Sequence, residues 1–80
     1  MTIRYNRKRE FRIWELNGKW YGVETKYITA GKLNIPYKDC FHAGSKDDMI
    51  DMIEHRCRYE ELVGNGMSEV EAARVALFGE

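Results

Sequence analysis

Proline is almost missing: Pro36 is the only one in 80 residues, so no proline-rich linker divides the chain. Cysteine is nearly as scarce, with Cys40 and Cys57 alone. Two are too few to staple a secreted scaffold, and the reading is free thiols in a reducing cytoplasm. The two serines, Ser45 and Ser68, both stand where helices should begin, which leaves none for a nucleophile. Long apolar runs are lacking, so neither a signal peptide nor a membrane span is expected. Glycine-rich phosphate loops, Walker patterns and Cys-x-x-Cys knuckles do not occur. No cofactor is expected, and the reading is non-enzymatic. Formal net charge is zero, which removes a bulk attraction to nucleic acid.

Apolar residues make up 44% of the chain and charged residues 32%, a globular balance rather than a disordered one. The length suits one domain, residues 1–80, with a β-rich half at 1–44 and a helical half at 45–80. Charge divides similarly. Residues 1–45 hold nine Lys/Arg against four Asp/Glu, and residues 46–80 hold four against nine.

Asn17-Gly18 is the strongest local signal, because a type I′ hairpin turn needs positive φ at both central residues. A two-residue loop sets Leu16 opposite Lys19, Glu15 opposite Trp20, Trp14 opposite Tyr21, Ile13 opposite Gly22 and Arg12 opposite Val23. One face then carries Phe11, Ile13 and Trp20; the other carries Trp14, Leu16, Tyr21 and Val23. Ile3 and Tyr5 favour the odd-numbered face as core, leaving Trp14 and Tyr21 partly exposed beside arginines. Arg7 and Arg9 conflict with this locally, and a bend or bulge at residues 7–9 would reconcile them. Farther on, Tyr27 to Ala30 reads as a third strand and Gly31-Lys32 as a turn. Leu33 to Tyr37 reads as an edge or loop because of Pro36, and Asp39 to His42 as a short last strand.

Ser45 followed by Asp47 and Asp48 starts a helix over about 46–63, and Gly64-Asn65-Gly66 stops it. Ser68 and Glu71 form a capping box for a second helix over 69–78, with Met67 and Ala72 as its hydrophobic staple. The expected fold is α+β: an antiparallel sheet of three or four strands, with its N-terminal hairpin, packed against two C-terminal helices. The expected core is Phe11, Ile13, Trp20, Ile28, Met49, Ile50, Ile53, Cys57, Leu62, Val70, Ala73 and Leu77.

Few constellations carry chemistry. Cys40, His42, His55 and Cys57 are zinc-type ligands, but residues 55 and 57 lie about 200° apart on a helix and cannot readily share an ion. A Cys40–His42 nucleophile pair has no oxyanion hole beside it. The paired acids Asp47–Asp48 and Glu60–Glu61 sit on solvated helix faces.

The informative surface mixes basic and aromatic side chains. The leading reading is a protein-binding module with Arg12, Trp14, Lys19 and Tyr21 as anchors, residue types common at hot spots. The alternative is a sheet-based nucleic-acid binder using Arg4, Arg7, Lys8, Arg9 and Arg12. A homodimer through the second hairpin face is a further use. So is docking of the acidic helices, with Asp47, Asp48, Asp51, Glu54, Glu60 and Glu61, on a basic site.

In plan, residues 10–62 resemble the sheet-then-helix order of AP2-type and integrase arm-binding DNA domains. The matching features are the hairpin around Gly18-Lys19-Trp20 and the turn into the helix after Phe41. That likeness implies a sheet that enters the major groove, and no functional residue carries over from it. The short, motif-free make-up is also similar to that of small accessory proteins of phages and other mobile elements, which implies an inhibitor or adaptor.

Overall fold

A computed structural model describes residues 1–79. The chain builds its sheet by successive reversals. Strand β1 (Thr2–Tyr5) turns back at residues 6–8 into β2 (Arg9–Leu16). Asn6 and Arg7 take positive φ there, 53° and 61°. The expected bend is thus a full hairpin. Its pairing, Ile3 with Phe11 and Tyr5 with Arg9, keeps the odd-numbered residues on one face. Strand β3 (Lys19–Glu24) follows the Asn17-Gly18 turn, with φ of 53° and 79°, in the register read from the loop length.

After a 3-10 turn at Thr25–Tyr27, β4 (Ile28–Thr29) and β5 (Lys32–Leu33) form a separate two-stranded ribbon. Residues 27–30 therefore do not supply a strand of the main sheet. The turn centres on Ala30-Gly31, one residue before the expected pair. A second 3-10 turn, Tyr37–Asp39, leads into β6 (Phe41–Ala43), which pairs with β3 and completes the order β1-β2-β3-β6.

Helix α1 (Lys46–Gly64) crosses the odd-numbered face. Phe11, Ile13, Met49, Ile53 and Cys57 form its buried cluster, with Ile3, Tyr5, Trp20, Phe41, Ala43 and Ile50 packed around them. Gly22 permits the crossing. A β-carbon there would stand 2.8 Å from Met49 Sδ and 3.2 Å from Ile13 Cγ2. Ser45 caps α1 by accepting from the Asp48 backbone N–H. At the other end the Gly66 and Met67 N–H groups bond to the Val63 and Leu62 carbonyls, with Gly66 at φ 98°. That is a Schellman ending, with Gly66 and not Gly64 as the left-handed residue.

Helix α2 (Glu69–Phe78) folds back on α1. Ser68 accepts from the Glu71 N–H. The Glu71 carboxylate turns to Arg74 at 2.7 Å instead of returning to the cap, so half of the capping box forms. The buried face of α2 is Ala72 and Ala76. The expected stripe is displaced: Val70 and Leu77 are 82% and 59% exposed, and Ala73 is half-buried. Small side chains let two helices approach closely, and here that contact prevails over the burial of larger ones. Trp20, Ile28, Ile50 and Leu62 are half-buried rather than central. Val23 and Cys40, assigned no core role from sequence, are buried.

Candidate interaction face of the sheet

The even-numbered face of the sheet looks away from α1. Trp14 on β2, Tyr21 on β3 and His42 on β6 are cross-strand partners in one row. Trp14 stacks on Tyr21, with centroids 6.0 Å apart and rings 19° from parallel. Tyr21 meets His42 edge-on at 5.1 Å. Tyr37, carried by the second 3-10 turn, meets Trp14 at 6.3 Å and Tyr21 at 5.5 Å, both edge-on. Such pairs add about 0.5–1.5 kcal/mol beyond area burial, which favours this mutual arrangement of the four rings. Trp14 and Tyr21 are half-buried, while Tyr37 and His42 are exposed.

Arg12 and Lys19 lie on this same face, beside the row and at its hairpin end, and both are exposed. The four sequence-derived anchors Arg12, Trp14, Lys19 and Tyr21 therefore share one surface. The ribbon borders it. Ile28, Gly31, Leu33 and Tyr37 enclose a recess of about 360 Å³ with Met1, Arg12 and Trp14. Sequence reasoning missed Tyr37 and His42 as members of the row. The register beyond residue 25 depends on the ribbon, which has only Gly31 as a sequence mark.

The five basic residues of the nucleic-acid reading do not share a surface. Arg4 and Arg12 are on the even face, with Arg4 pairing with Glu10 at 3.1 Å. Arg7 and Lys8 occupy the β1–β2 turn. Arg9 is on the helix-covered side, where its guanidinium donates to both Glu24 oxygens at 3.0 and 2.8 Å and to Glu60 at 2.7 Å. The hydrogen bonds to Glu24 push the Arg9 pKa above its ordinary value, and Arg9 in turn holds the Glu24 carboxyl below its own.

The acidic set is also divided. Glu60 is held by Arg9, and Glu61 accepts from Asn6 at 2.7 Å. Asp47, Asp48, Asp51 and Glu54 remain exposed on α1.

The cysteines and histidines are dispersed. Cys40 is buried and directs its thiol to the Pro36 carbonyl at 3.7 Å. Cys57 lies in the core cluster and His55 in a groove between the helices. Burial pushes both thiols above the ordinary range, which leaves little thiolate for nucleophilic chemistry. Among the described residues no group of three or more His, Cys, Asp or Glu is placed to hold a metal ion. Among them, too, no helix is long and apolar enough to cross a membrane.

Comparison with known proteins returned no matching family model, curated protein or solved structure.

Proposed function

We propose that this chain is a non-enzymatic module that binds a protein through the even-numbered face of its sheet. The observation that supports this reading is the ordered row Trp14–Tyr21–His42 with Tyr37, on the face that α1 does not cover. Preformed aromatic rows lose little side-chain entropy on binding, and Trp, Tyr and Arg dominate interface hot spots. Arg12 and Lys19 beside the row select a partner that combines an apolar patch with acidic groups. An inhibitor or adaptor acting in the cytoplasm, like the small accessory proteins of mobile elements, fits such a module. Buried free thiols at Cys40 and Cys57 suit a reducing compartment.

The test is capture from lysate with tagged protein, with and without nuclease, comparing wild type with Trp14→Ala/Tyr21→Ala. One stoichiometric protein should survive nuclease and be lost in the double variant, whose circular dichroism stays native. Unfolding of the double variant would show that the row is structural and would end this assignment. Capture abolished by nuclease, with steep weakening as salt rises, would favour the nucleic-acid reading.

A further inference from the structure

The recess between sheet and ribbon combines apolar walls with a cation. Ile28 and Leu33, cross-strand partners in the ribbon, line it with Trp14 and Tyr37 of the aromatic group. Arg12 lines it as well and is exposed. At about 360 Å³ the recess is at the small end of ligand pockets and suits one large side chain. Among the described residues, neither Arg12 nor Lys19 has a carboxylate within ion-pairing distance. Strand parity places one acid on this face of the sheet, Glu10, and Arg4 holds it at 3.1 Å. The charge left free beside the rings is therefore positive, which selects carboxylates and rejects basic segments.

The two free cations also set a spacing. Trp14 and Tyr21 are cross-strand partners. Arg12 lies two residues to one side of that pair, and Lys19, opposite Leu16, lies two residues to the other. At a strand rise of about 3.3 Å per residue, Arg12 and Lys19 stand about 13 Å apart along the sheet, with the rings between them. An extended segment has the same rise, and its residues i, i+2 and i+4 share one face. Laid along the strands, such a segment brings an acid at i to Arg12 and an acid at i+4 to Lys19. The side chain at i+2 then falls at Trp14, beside the mouth of the recess.

Building on the reading of this face as a protein-binding surface, we infer that its partner presents an extended segment of the form acid–x–aromatic–x–acid, whose aromatic side chain fills the recess beside Trp14 and Tyr37. The recess supplies the apolar contact, and Arg12 and Lys19 set the register.

The probe is the peptide acetyl-Ser-Glu-Ser-Phe-Ser-Glu-Ser-amide, titrated to millimolar concentration in low salt into the isotope-labelled full chain and followed by amide and indole NMR shifts. Saturable shifts should centre on Arg12, Trp14, Leu33 and Tyr37. Replacing Phe by Ala in the peptide should weaken binding about tenfold or more, the loss of one buried ring. Replacing both Glu by Lys should abolish binding to wild type and restore it to Arg12→Glu/Lys19→Glu, whose exposed substitutions leave the circular dichroism native. Absence of saturable shifts, equal binding of the Ala peptide, or indifference to charge reversal would overturn the inference. So would displacement of the captured partner by single-stranded oligothymidylate and not by peptide, which would favour nucleic acid. Capture from lysate that depends on Trp14 and Tyr21 yet persists in excess peptide would overturn the segment alone and leave the protein-binding face standing. Unfolding of Trp14→Ala/Tyr21→Ala would end both.

Discussion

Arg9 shows how one side chain settles a local conflict between pattern and charge. Its odd position places it on the core side, where an unpaired guanidinium would be costly. Glu24 on β3 and Glu60 on α1 meet it there, so that one cation ties the sheet to the helix. Glu24 is only 14% exposed, and its carboxyl is held below the usual range. A lowered acid pKa stabilises the fold fully above the unfolded value, near pH 4.3, and loses that contribution as pH falls through the folded value. Glu24→Gln should therefore cost about 1–2 kcal/mol at neutral pH, with the two unfolding curves converging below about pH 4. Arg9, whose pKa is raised, keeps its proton at every pH used in such an experiment. Urea titrations of both proteins from pH 3 to 8 would check the convergence. A constant gap across that range would place the cost in packing and not in the ion pair.

Among elements, the approach of α1 to the sheet is decided at Gly22. Gly22→Ala inserts a methyl between Met49, Ile13 and Ile53. It should lower stability by about 1–2 kcal/mol: Met49 Sδ at 2.8 Å belongs to a flexible side chain that can yield, the branched Ile13 at 3.2 Å must give by a few tenths of an ångström, and Ile53 at 3.4 Å is in ordinary contact. Gly44→Ala, with no neighbour within 4 Å, is the control and should be nearly neutral in the same thermal melts.

The elements also show where a sequence is readable. The β2–β3 register followed from Asn17-Gly18 because two-residue loops admit few geometries. Both helices were legible from Ser45, Ser68 and their glycine stops. The β1–β2 reversal was not, since Asn6 and Arg7 adopt positive φ with no glycine to mark it. The stripe on α2 was misplaced because large residues were weighted above small ones, although a close helix contact selects alanine. The shared face of Arg12, Trp14, Lys19 and Tyr21 was legible from strand parity alone. Tyr37 and His42 required the path of the ribbon.

At the scale of the whole molecule, the division of charge becomes a division of layers. The boundary between the basic and acidic segments falls at residue 46, where α1 begins. The sheet and ribbon are therefore the cationic side and the helices the anionic side. A protein of zero net charge with evenly mixed signs should pass through ion exchangers. This one should be retained on both cation and anion exchangers at pH 7 in low salt, and released from both near 0.2 M, where screening shortens to under about 10 Å. Flow-through on either resin would show that ion pairs between the layers neutralise the separation.

The order β1-β2-β3-β6 leaves two sheet edges, and both are short: four residues in β1 and three in β6. Unpaired backbone of that length is a poor template for adding foreign strands, and Arg4 on β1 and His42 on β6 interrupt it further with polar side chains. An exposed aromatic surface beside a long bare edge would invite fibrils. Here the fold can keep that surface open to solvent without becoming a seed for amyloid.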